Sequence, residues 1–248
     1  MAHAKRSQIC PSCGQTHGRG ILACLTAAAA SAPGGAPVPA RTPGASLTEA
    51  QRDSLTPDQV VDAFLAGNAR FVSGALRERD FLAEMKTSSA GQYPAAIVLS
   101  CIDSRTPVEV ISDLGIGDTF NAKVAGSAVN DDILGSMEYA CAVAGAKVVV
   151  VLGHTSCGAI KGAIDNVVLG NLTLLLARFK AAIDATAYEG SRTSKNADFV
   201  DAVSRTQVLK SVQQVRQRSP VLADLEAAGK IRIVASMYDV ATGVVTLV

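Results

Sequence analysis

Two short apolar runs constrain this chain more than any other feature. They are Ala95 to Leu99 and Val148 to Leu152, each bounded by turn or helix-start residues. Unbroken apolar runs of this length read as strands buried on both faces, as in a parallel sheet. Each run leads into a cluster of reactive side chains: Ser100-Cys101-Ile102-Asp103-Ser104-Arg105 after the first, Gly153-His154-Thr155-Ser156-Cys157-Gly158 after the second. If the two strands are neighbours, their carboxyl ends deliver two thiols, an imidazole, a carboxylate and a guanidinium to one crevice, where open α/β sheets bind ligands.

The remaining pattern supports such a sheet. Thr56-Pro57-Asp58 supplies an N-cap, a proline at the first helical position and an acid in the first turn. Val60, Val61, Phe64, Leu65 and Phe71 then recur at helical spacing up to a stop at Gly74, and a weaker helix is expected over Asp80 to Lys86. Further helices are expected over Pro107 to Leu114, from Asn130 or Asp131 to Gly145, and over Gly158 to Asp165, Leu172 to Ala187, Ala197 to Arg218 and Pro220 to Ala228. Between them lie strands at Thr119 to Val124, Lys147 to Leu152 and Ile231 to Ser236, and a turn at Asp239 to Gly243 brings Val244 to Val248 back antiparallel on an edge. Strands alternating with helices mean an α/β domain, a mostly parallel sheet covered on both faces. Cys141, on the apolar side of its helix, reads as core.

The organisation expected is a targeting segment over 1–32, a Pro-, Gly- and Ala-rich linker over 33–54, and one folded domain over 55–248. Lys5, Arg6 and Arg19, an apolar stretch from Ile21 and the small-residue site Ala30-Ser31-Ala32 form the three parts of a secretory signal. That reading predicts export to a bacterial periplasm; a plain Ala-rich tail on a cytoplasmic protein is the alternative. Cys10 and Cys13 have knuckle-like spacing but lack a visible second pair. The 23 Lys+Arg balance 22 Asp+Glu, and aromatic residues are 4% with no tryptophan, so neither a nucleic-acid footprint nor a base-stacking platform is present. No apolar run approaches the roughly 20 residues of a membrane span.

Taken singly, a buried cysteine or histidine is ordinary core. Together, Cys101, His154 and Cys157 make three zinc ligands with a fourth place left open, the arrangement of a catalytic site. Gly153 and Gly158 flank the second group and are expected to free the backbone for a tight turn. A Cys101–Cys157 disulfide is the chemical rival, and it leaves His154, Asp103 and Arg105 without a shared purpose.

In these residues the chain resembles the β-class carbonic anhydrases. The family's C-x-D-S-R stands at Cys101 to Arg105 and its H-x-x-C at His154 to Cys157; G-N-x-R-F stands at Gly67 to Phe71 and Y-D-x-x-T-G at Tyr238 to Gly243. G-D-x-F at Gly117 to Phe120 and S-x-E-Y at Ser136 to Tyr139 extend the match. The resemblance implies four parallel strands plus an antiparallel edge strand, an N-terminal helical arm, and a homodimer or multiple of dimers. It also implies Zn2+ on Cys101, His154 and Cys157, and reversible hydration of CO2 to bicarbonate. Asp103 then accepts a hydrogen bond from the reacting hydroxide and Arg105 holds Asp103, which in some members instead closes the site as a fourth ligand. Gln92 and Gly158 are the implied substrate-side contacts, and Val124, Ala125 and Val129 are candidates to line the CO2 pocket. Lys123-Val124-Ala125-Gly126-Ser127 departs from the family's R-N-A-G-N. Two other readings stay open: a hydrolase of carbon disulfide or carbonyl sulfide, and a non-catalytic zinc protein with Asp103 as permanent ligand.

Overall fold

The structure, a computed structural model, describes residues 42–248. The expected export segment, Cys10, Cys13 and residues 33–41 of the linker lie outside the described residues. The first helix, α1 (Glu49–Ser54), begins inside the stretch expected as linker. A capping box builds it: Thr48 accepts the Gln51 N–H and Gln51 reaches back to the Thr48 N–H. Buried Arg52 then donates to the Ala144 carbonyl, tying this helix to the domain.

Helix α2 (Pro57–Ser73) has the expected Thr56 cap and ends at Gly74 in the left-handed conformation, φ 73°. Helix α3 (Phe81–Ser88) follows. Strand β1 (Ala96–Ser100), the short α4 (Val108–Ile111), β2 (Thr119–Lys123), α5 (Asp131–Glu138) and β3 (Val148–His154) come next. After β3 come α6 (Gly158–Ile164), α7 (Gly170–Ala177), α8 (Lys180–Ala185), α9 (Ala197–Arg218), α10 (Pro220–Ala227), β4 (Arg232–Tyr238) and β5 (Val245–Leu247). The sheet order is β2-β1-β3-β4-β5; β5 alone runs antiparallel, paired with β4, as expected.

Alternation along the strands divides the core. Ile97, Leu99, Val149, Val151, Ile233 and Ala235 face Leu134 and Met137 of α5 and Val208, Val212 and Val215 of α9. Val98, Val148, Val150, Leu152 and Val234 face Val60, Val61 and Phe64 of α2 and Val108 and Ile111 of α4. Both faces of β1 and β3 are covered, which is why these strands are continuously apolar.

Three helix expectations are corrected. The Pro107–Leu114 helix shortens to α4, because Asp113 turns left-handed at φ 46°. The helix expected to reach Gly145 widens after α5 into a π turn over Tyr139–Val143, then stops at Gly145 with φ 80°. The single helix over Leu172–Ala187 breaks into α7 and α8 at Phe179, whose ring is wholly buried beside Gly126. Cys141 lies in the core as expected, and burial pushes its thiol up to about 12.

Candidate metal centre

Strands β1 and β3 are hydrogen-bonded neighbours, with Ser100 opposite Leu152. The chain therefore leaves both strands at the same end, Cys101 directly after β1 and His154 as the last residue of β3. Cys157 caps the first turn of α6. The two sulfurs and an imidazole nitrogen all lie within 4.8 Å of one another, and the three residues, in the order Cys101, His154 and Cys157, are 4%, 1% and 2% exposed.

Each donor is aimed by its surroundings. The Gly126 N–H donates to Cys101 Sγ at 3.3 Å. Gly126 sits at φ 64°, and a Cβ there would come within 2.4 Å of Phe179 Cζ, so glycine is required twice over. The N–H groups of Ala159 and Ile160, at the start of α6, lie beside Cys157 and favour its thiolate. His154 Nδ1 donates to the Thr155 carbonyl at 2.9 Å, which leaves its Nε2 lone pair facing the sulfurs. That Nε2 is buried with no hydrogen-bond partner.

Electrostatics favour a cation here. The neighbouring Cys157, above all, lowers the Cys101 thiol from 9.0 to about 4, while Cys157 itself is pushed up by Cys101 and then by burial. Two sulfurs thus lie beside a bare imidazole nitrogen, and a divalent metal satisfies all three donors at once. Two thiolates and one imidazole suit zinc. Both sulfurs are free thiols, so the disulfide reading does not apply.

Asp103 flanks this cluster, its Oδ2 3.8 Å from His154 Nε2. Its oxygens are held by Arg105: Nε to Oδ1 at 2.9 Å, Nη2 to Oδ2 at 2.8 Å, and the Arg105 N–H to Oδ1 at 2.9 Å. The Arg105 fork keeps the Asp103 carboxyl well below the usual carboxylate range. Asp103 is therefore turned onto Arg105 here, and the closed arrangement is not the one observed. Thr106 Oγ1 donates to the Cys101 and Asp103 carbonyls, and Lys123 Nζ donates to Ser100 Oγ and the Thr106 carbonyl, both at 2.9 Å. Lys123 thus braces the loop from beside it despite lacking a fork.

Residues 96–245 match the family model described as carbonic anhydrase. A carbonic anhydrase from Mycolicibacterium smegmatis is 34% identical over 183 residues, covering 73% of this chain and 88% of that protein. The chain belongs to the β-class carbonic anhydrases. At the level of fold, this carbonic anhydrase resembles a structure from Sordaria macrospora, described among two tetrameric β-carbonic anhydrases, with TM-score 0.59, 22% identity and coverage of 66% of this chain and 85% of that one. A shorter likeness, 37% identity over 71 residues, joins 26% of this chain to 33% of a carbon disulfide hydrolase from Acidithiobacillus thiooxidans.

Within the protomer the geometry sets Gln92 apart from the cluster, and it corrects the reading of the flanking glycines in this carbonic anhydrase. Gln92 is not brought to the metal cluster within the protomer: it precedes β1, whereas Cys101 leaves the opposite end, and it lines a separate hollow with Ser88, Gly91 and Ile116. The glycines flanking His154 and Cys157 are not what shapes the turn. The left-handed residue is Ser156, φ 56°. Gly153 is required by packing, since a Cβ would lie 2.4 Å from Val208 Cγ2, while a Cβ on Gly158, the first residue of α6 beside Cys157, would meet open space. Val124 packs against the group containing Cys101 and Cys157, but Val129 belongs to the core under α5. No motif marks Phe179, whose only signal is a lone aromatic in a largely aliphatic stretch.

Proposed function

We propose that this chain is a zinc enzyme that interconverts carbon dioxide plus water with bicarbonate plus a proton, using Cys101, His154 and Cys157 as ligands. The observation that carries this reading is the partnerless, buried Nε2 of His154 facing two sulfurs at ligating distance, with an ionised carboxylate alongside. Zinc in that donor set supplies Lewis acidity, which brings the pKa of water from 15.7 to about 7.

The chain's own groups do the rest. Asp103 Oδ2 accepts a hydrogen bond from the reacting oxygen and so orients its lone pair. Arg105 keeps Asp103 ionised and in place through its two-pronged contact. Half-buried Val124, packed beside Cys101 and Cys157, provides an apolar flank for a small uncharged gas. His154 presents Nε2 to the cluster because its Nδ1–H is committed to the Thr155 carbonyl.

The brief likeness to a carbon disulfide hydrolase supports one rival, the same centre acting on a sulfur gas. Assaying the zinc-loaded protein with carbon dioxide, carbon disulfide and carbonyl sulfide separates the two. CO2 hydration well above the sulfur rates is expected; turnover of a sulfur gas without CO2 hydration overturns the proposal.

We also infer assembly into dimers or multiples of them. Support comes from β2 at the sheet edge and from exposed Phe81, Leu82 and Met85 on the N-terminal arm. Sedimentation of the purified protein tests this, and a monomer at micromolar concentration contradicts it. No described helix is long and apolar enough to cross a membrane. Export rests on the composition of residues 1–32, and N-terminal sequencing of cell-purified protein tests it: a start near Pro33 supports cleavage and an intact Met1 or Ala2 refutes it.

A further inference from the structure

Between His154 and Cys157 the backbone passes through Ser156 at φ 56°, a conformation that residues with a Cβ rarely adopt unless surrounding contacts enforce it. Thr155 is tied on both sides: its N–H donates to the Tyr238 carbonyl at 2.9 Å, and its Oγ1 accepts the Val240 N–H at 3.0 Å. Ser156 is tied by something further away. Its N–H donates to Asp201 Oδ1 at 2.7 Å, across 45 residues of chain.

Asp201 lies in the first turns of α9, half-buried, and no cation is in ion-pair contact with it among the described residues. The charged groups around it are Asp239 and Asp198, which repel it, and Lys161. A partly buried carboxylate among like charges is unfavourable unless a strong hydrogen bond offsets the cost. Here that bond is spent on one backbone amide, in the turn that spaces two metal ligands. Further along α9, Ser211 Oγ donates to the carbonyl of Ser127, the other left-handed serine beside the site, at 3.3 Å. One helix therefore touches both strained turns.

Resting on the zinc reading above, we propose that Asp201 is a positioning residue for the metal centre: by accepting the Ser156 N–H it holds the left-handed turn that sets His154 Nε2 and Cys157 Sγ at a common ion. Outer groups that orient metal ligands typically contribute about 10–100-fold in metal affinity. Asp201→Ala therefore weakens zinc binding by about that factor.

The test compares wild type, Asp201→Ala, Asp201→Asn and Asp198→Ala by chelator competition for zinc, by the cobalt(II) absorption spectrum and by thermal unfolding of the metal-free chains. Wild type that binds no zinc defeats the reading of the site itself, whatever the variants do. If wild type binds, the expected pattern is weaker zinc binding and an altered cobalt spectrum in Asp201→Ala alone. Asp201→Asn keeps an acceptor oxygen and rescues both, and Asp198→Ala leaves both unchanged. Wild-type affinity and spectrum in Asp201→Ala overturn the inference, as does an Asp201→Asn that fails as badly as alanine. Should the alanine variant not fold, hydrogen exchange at the Ser156 amide of metal-free wild type decides: protection supports the contact, and free exchange overturns it.

Discussion

Arg105 grips Asp103 with two parallel donors, Nε at 2.9 Å and Nη2 at 2.8 Å, beside three buried donors that lie within 4.8 Å of one another. The grip orients a carboxylate without placing it among the ligands. Asp103→Asn therefore keeps zinc but loses turnover by about 100-fold or more, the scale of removing a positioned proton acceptor. Arg105→Lys, which cannot reproduce the fork, should fall in the same direction with zinc again retained. Steady-state CO2 hydration with metal analysis on the same samples checks both.

Removing a ligand has a different signature. Cys157→Ala and His154→Ala each leave two donors in a buried site and should lose zinc as well as activity. Because a metal that binds only the folded chain stabilises it by mass action, chelator-stripped wild type should melt lower than the loaded protein. Elemental analysis and thermal unfolding with and without zinc measure this.

Gly126→Ala places a methyl 2.4 Å from the buried Phe179 ring at a left-handed position. Overpacking of this kind costs about 1–3 kcal/mol. Urea unfolding should show it, together with weaker zinc binding, since the Gly126 N–H is a donor to Cys101.

Asn68 joins three distant pieces of chain, donating to the carbonyls of Ile111 and Gly243 and accepting the Val245 N–H, each at 2.8 Å. Asn68→Ala leaves buried backbone groups without partners, at about 1–3 kcal/mol for each one stranded. A large loss of unfolding free energy in urea is the expected result.

Acid weakens a contact between α9 and α10. The Arg216 guanidinium, then the Ile233 N–H, holds the Glu226 carboxyl below its ordinary value. Because the folded value lies below the unfolded one of about 4.3, the contact stabilises fully above that pH and is lost as pH falls through the folded value. Thermal midpoints of wild type and Glu226→Gln should therefore differ at pH 7 and converge toward pH 3.

Much of this was legible because β1 and β3 are buried on both faces, so their residues Ile97 to Leu99 and Val148 to Leu152 are unbroken apolar runs ending in reactive side chains. Direction along a strand was harder to use: Gln92 and Cys101 are close in sequence, yet a strand between them places them at opposite ends. Helix α1 escaped notice because its residues are mostly polar, and only Thr48 and Gln51 betray it. The break at Phe179 is hidden in an aliphatic run whose period does not change. Ser156 could not be found from residue type, since its left-handed conformation is imposed by contacts from β4 and α9 rather than by a glycine.

The central claim is that Cys101, His154 and Cys157 bind one zinc that the chain uses on carbon dioxide. Stopped-flow CO2 hydration between about pH 7 and 9, where zinc-acidified water ionises, with zinc counted on the same sample, tests it most directly. The account predicts one zinc per chain and hydration that disappears along with the metal in Cys157→Ala; full zinc occupancy without any CO2 hydration would contradict it.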